Sequence, residues 1–137
     1  MPAQQISIPV FIDNPAIAGR MERYMRVRLD IGRALHSWRQ SLLAHEWLDA
    51  SGQIRGDAAL DPAKRNKLTA LYAQLQSGQA LPCPVLGIGL FDNIEIGSGS
   101  ELFCLLAREG YAAIDVHIPR SNEKDFKPFL GEKRTAR

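Results

Sequence analysis

Residues 94–119, IEIGSGSELFCLLAREGYAAIDVHIP, constrain the fold more than any other stretch of this chain. They read as a strand, a glycine turn, a helix and a second strand. Leu102, Phe103, Leu105 and Leu106 make the helix apolar over a wide arc, so it must be buried on more than one side. Gly110 is placed to end it, and YAAIDVHI (111–118) supplies a strand that Pro119 stops. Ser98 and Glu101 have the S-x-x-E spacing of a capping box.

The segment before it, PVLGIGLF (84–91), is apolar on both faces, as a central strand would be. Gly87 and Gly89 share one face, which predicts a close neighbour there: a helix backbone or, alternatively, a ligand. Asp92-Asn93 offers a two-residue hairpin turn; the other reading is a direct loop from Phe91 to the helix. Residues 84–118 then form a β-α-β unit.

The N-terminal half is more ambiguous. QISIPVFI (5–12) reads as a strand, and Pro9 suits an edge. Asn14-Pro15 is a helix start. From there to residue 49, Ile17, Met21, Tyr24, Ile31, Leu35, Trp38 and Leu42 step by three and four, which predicts one long helix. The competing reading is a strand over MRVRLDI (25–31), with a break near Gly32. Residues 50–60 are a loop, Asp61-Pro62 starts a second helix, and Gly78 ends it. The expected architecture is therefore α+β. Residues 1–130 form a single domain, with a three- to four-stranded sheet and helices mainly on one face. Residues 131–137 form a basic, flexible tail. A chain of 137 residues can bury a core without staples, so Cys83 and Cys104 are expected as reduced, structural thiols. No leader or membrane-length apolar run is visible, and the expected compartment is the cytoplasm, with no membrane partner.

Two candidate sites emerge. A helix start presents free N–H groups and partial positive charge to an anion, and Gly97, Ser98, Gly99 and Ser100 add close access and hydroxyls. If the strands of the unit run parallel, Asp92, Asn93 and Ser98 share a rim with His117 and Arg120. These eight residues form the ligand-binding candidate, suited to a small molecule or nucleotide. The stretch EIGSGSELFCLLAREGY resembles the first motif of the S-adenosylmethionine-dependent methyltransferases. The resemblance places Glu95 as the acid before the turn, with Gly97 and Gly99 as its first two glycines. It departs at Glu101, where a third glycine belongs, and at His117, where a ribose-binding acid belongs. Only 38 residues follow Gly99, too few to complete that fold.

The second candidate is basic. Six arginines lie between Gly19 and Gln40, and on a helix Arg23, Arg26 and Arg33 fall on one side. Lys64, Arg65 and Lys67 open the second helix. The formal net charge of +2 is too small to imply a polyanion by itself. The histidines have no metal-ligand spacing, and no nucleophile elbow is present, so no metal, cofactor or catalytic residue is assigned. The expectation is a small, soluble, non-enzymatic binding or regulatory protein. It would act through the arginine-bearing first helix or a sheet edge. The expected partner is a protein, with nucleic acid or a second copy of the chain as further options. The alternative is the small-ligand or nucleotide site at the glycine turn.

Overall fold

A computed structural model describes residues 9–131. The basic tail over residues 132–137 and the start of the first expected strand lie outside the described residues. The fold is a small α+β domain built on two sheets. β1 (Val10–Ile12) pairs in parallel with β3 (Ala80–Pro82). The larger sheet holds β2 (Tyr24–Asp30), β4 (Val85–Ile88), β5 (Ile94–Ser98) and β6 (Ala113–Pro119), in the order β2-β6-β4-β5. β6 runs antiparallel to β2 and parallel to β4, while β4 and β5 form an antiparallel hairpin.

The long N-terminal helix is not formed, and the strand reading of residues 25–31 prevails. β2 pairs with β6 along its whole length, and Met25, Val27 and Leu29 face Ile118, Val116 and Ile114. Those apolar cross-strand pairs bury one face of β2, which an isolated amphipathic helix could not match without a partner. Asp30 then accepts from Arg33 N at 2.9 Å and caps α1 (Ile31–Trp38). Asn14 also acts as a cap, accepting from Ala16 N at 2.8 Å, but it opens only a single 3-10 turn over Pro15–Ile17.

The other helices obey their local signals. Asp61 accepts from Lys64 N at 2.9 Å at the start of α2 (Pro62–Gln76), and Gly78, with φ +77°, closes it. α3 (Ser100–Arg108) buries Leu102 through Leu106, and Trp38 meets Phe103 edge to face at 5.8 Å. Gly110 ends α3 as expected: its N–H reaches Ala107 O while Tyr111 N reaches Leu106 O, a Schellman closure. Leu29, Leu86, Ile114, Val116 and Ile118 from the sheet join α1, α2 and α3 in one core. A short α4 (Glu123–Phe126) seals the end with buried Phe126.

Both edges of the larger sheet are partly closed. Gly131 N donates to Arg28 O at 2.8 Å on the β2 side, and on the β5 side Ile94 N donates to Ser37 Oγ at 2.9 Å. Occupied edge groups discourage strand addition.

Candidate functional site

The glycine turn is packed rather than open. Gly99 is the cap residue of α3, with φ +87° and no side-chain cap bond. A Cβ there would come within 2.8 Å of Pro84 Cα, so only glycine fits beneath that backbone. The expected capping box is absent. Ser98 Oγ instead receives Asn14 Nδ2 at 3.3 Å, and Glu101 turns to Lys67 at 3.8 Å. Asn14 Nδ2 also donates to Cys83 O at 2.7 Å, so the residues beside the turn bind one another.

The eight ligand-site residues do not share one rim. β4 and β6 run parallel, as expected for the strands over 84–91 and 111–118, but Val85 at the start of β4 lies beside His117 near the end of β6, and β5, which leads into α3, runs the opposite way on the far side of β4. Ser98 and His117 nevertheless occupy one row, because both pair with Val85. That puts their backbones two strand spacings apart, roughly 10 Å. Asp92 and Asn93 sit at the other end of β5, in the hairpin loop, where Asp92 has φ +59°. Asn93 is buried and donates to Ile94 O at 2.9 Å and Glu95 Oε2 at 3.0 Å. Arg120 is drawn toward the opposite edge, its Nε donating to Glu22 O at 3.0 Å.

His117 lies beside an ionic network that ties β1 to the larger sheet. It is 2% exposed, and its Nε2 stands 3.3 Å from Asp13 Oδ1 without hydrogen-bond alignment. Arg26, opposite His117 on β2, lies 3.5 Å from both Asp13 and Asp115 and donates to Phe11 O at 3.0 Å. Burial pushes the imidazole below its usual value, Asp13 opposes that, and Arg26 reinforces it.

The basic residues are dispersed. Arg23 ends a 3-10 turn, Arg26 is held in its network, and Arg33 Nη1 reaches Pro128 O at 3.4 Å. Lys64 sits 3.2 Å from Asp61 and 3.4 Å from Glu46, and 5.5 Å from the centre of the Trp47 ring. Burial pushes its ammonium down, but the two carboxylates outweigh this and hold it above its ordinary value. Arg65 donates to Asp57 O and Leu60 O, and Lys67 pairs loosely with Glu101. Local acids and carbonyls thus engage most of these cations.

The feature that sequence reasoning missed is apolar. Leu90 and Phe91 form the tip of the β4–β5 hairpin and are 96% and 71% exposed. Beside them Leu42 and Leu43, on the turn after α1, are 83% and 60% exposed. All four line one cleft of about 210 Å³, with Glu95 at its wall. Ser41 Oγ donates to Glu95 Oε1 at 2.5 Å and accepts from Leu43 N at 3.1 Å, which fastens the two loops together. A Cβ on Gly89 would stand 2.8 Å from the Glu95 side chain, so this glycine makes room for that acid rather than for a helix backbone. Nothing lies within 4 Å of the equivalent position on Gly87.

Among the described residues, no cluster of three or more metal-ligating side chains occurs, and no helix is long and apolar enough to cross a membrane. Comparison with known protein families, curated proteins and solved structures finds no match for this chain.

Proposed function

We propose that this protein is a binding module that docks a partner protein on the hairpin tip formed by Leu90 and Phe91 with Leu42 and Leu43. The observation that carries this reading is the exposure of four large apolar side chains in one place, each by more than half. Contiguous apolar surface of this kind marks interaction sites on folded proteins. The occupant we infer is an amphipathic helical segment whose apolar face carries flanking lysine or arginine. Glu95 is the charged residue lining the cleft, Asp92 follows Phe91 in the chain, and among the described residues no cation lines the cleft. Partly occupied sheet edges favour side-chain docking over strand addition. The free, buried thiols of Cys83 and Cys104 fit a reducing compartment such as the cytoplasm.

Selection of short random peptides displayed on phage against the full chain tests the proposal. Enriched peptides should pair bulky apolar residues with basic ones and should lose binding to Phe91→Asp. Failure to enrich any peptide, or enrichment of peptides that bind Phe91→Asp equally, would contradict it. Sedimentation velocity checks self-association: a wild-type dimer that Phe91→Asp converts to monomer would replace the partner protein with a second copy of the chain.

A further inference from the structure

A second cleft, of about 360 Å³, lies between the end of α1 and the loops over residues 44–52, and is lined by His36, Arg39, His45 and Asp49 among others. Its volume falls at the lower end of the range for small-molecule sites. Arg39 Nη1 stands 3.2 Å from His36 Nδ1. A guanidinium can only donate, so His36 Nδ1 accepts and its Nε2 carries the proton. His45 Nδ1 contacts the Leu42 carbonyl oxygen. A carbonyl can only accept, so His45 Nδ1 carries a proton, and in the neutral ring its Nε2 is the acceptor. The cleft therefore offers two kinds of donor, guanidinium and imidazole N–H, beside one imidazole acceptor.

Arg39 is the group in the cleft suited to an anion. Among the described residues, no carboxylate pairs with Arg39. The acid lining the cleft, Asp49, is engaged by its own loop, its Oδ1 accepting from Ser51 N at 2.9 Å, Ser51 Oγ at 2.7 Å and Gln53 N at 3.1 Å, bonds that keep it charged and away from the guanidinium. Those bonds build the turn that lays Gly52 against the guanidinium. Gly52 has φ +86°, and a Cβ there would fall 2.4 Å from Arg39 Nε. The guanidinium thus lies against the Gly52 backbone, with no carboxylate paired to it among the described residues. Guanidinium groups suit planar or tetrahedral oxyanions, which they bind through paired N–H donors.

We infer that this cleft binds a small organic anion with a hydroxyl group beside its carboxylate or phosphate. Arg39 and His36 Nε2–H would hold the anionic group, and His45 Nε2 would accept from the hydroxyl. The inference is independent of docking at the hairpin tip.

The test is ¹⁵N–¹H correlation NMR of the full chain titrated with glycerol 3-phosphate, glycerate, inorganic phosphate and glycerol. Saturable shifts in the amides of residues 36–52 are expected with glycerol 3-phosphate or glycerate, and the stronger of the two distinguishes phosphate from carboxylate. Inorganic phosphate should bind at least about tenfold more weakly than the stronger ligand, and glycerol should produce no shifts, because each lacks one of the two recognised groups. Arg39→Met should abolish the shifts. His45→Gln should weaken the hydroxyl-bearing ligand while leaving inorganic phosphate unchanged, and it serves as the second variant should Arg39→Met disturb the loop. Absence of saturable shifts at millimolar ligand, or shifts that persist in Arg39→Met, would overturn the inference.

Discussion

Buried His117 is held below its ordinary pKa, chiefly by burial and also by Arg26, against the pull of Asp13. The unfolded chain therefore takes up this proton first as pH falls. The stabilising contribution of the neutral ring is fully present above about pH 6.5 and is lost as pH drops through the folded value. The thermal midpoint should fall between neutral and mildly acidic pH, and His117→Gln should flatten that part of the profile. An unchanged slope in the variant would remove His117 as the cause. Two glycines make a paired test of the close-approach argument. Gly99→Ala combines positive φ with overlap at Pro84 and should cost about 1–3 kcal/mol in denaturant unfolding. Gly87→Ala faces open space and should shift stability by less than about 0.5 kcal/mol. The sequence marked the face shared by Gly87 and Gly89 as crowded. It could not show that the Glu95 side chain, across the hairpin, folds back over Gly89 and leaves Gly87 free.

At the scale of elements, local signals were legible wherever the deciding contacts were local. Asp61-Pro62 and Gly78 bounded α2 because cap and terminator act within one turn. Ile17 through Leu42 misled because helical spacing emerged from residues with separate fates. Ile17 is buried in a 3-10 turn, Trp38 in α1, and Leu42 is exposed. The alternation over residues 25–31 prevailed because β6, some ninety residues later, supplies its apolar partners. Asp30, at the junction of that strand with α1, should matter as a cap: Asp30→Ala should cost about 0.5–2 kcal/mol, measured by urea unfolding. No change would deny that the cap sets the boundary.

At the scale of the whole molecule, strand direction governed what the candidate site became. A β-α-β pattern was readable between residues 84 and 118, but the pattern does not encode that β4 inserts between β5 and β6. That insertion puts a strand between Ser98 and His117, and the register that sets Val85 beside both leaves Asp92 and Asn93 at the far end of the hairpin. Burial also sets the chemistry of the two thiols. It pushes Cys83 up to about 11 and raises Cys104 further, so neither should react with Ellman's reagent in the native state, and both should react after denaturation. Prompt native reaction would contradict the packing around β3 or α3.

The central claim is that partners meet the apolar hairpin tip and not the dispersed arginines, and fluorescence anisotropy with a labelled, selected peptide tests it most directly. Leu90→Asp combined with Phe91→Asp should weaken binding by at least about tenfold at an unchanged thermal midpoint, while Arg23→Ala combined with Arg33→Ala should leave affinity nearly intact. The reverse pattern, with affinity lost in the arginine variant and kept in the tip variant, would contradict the account.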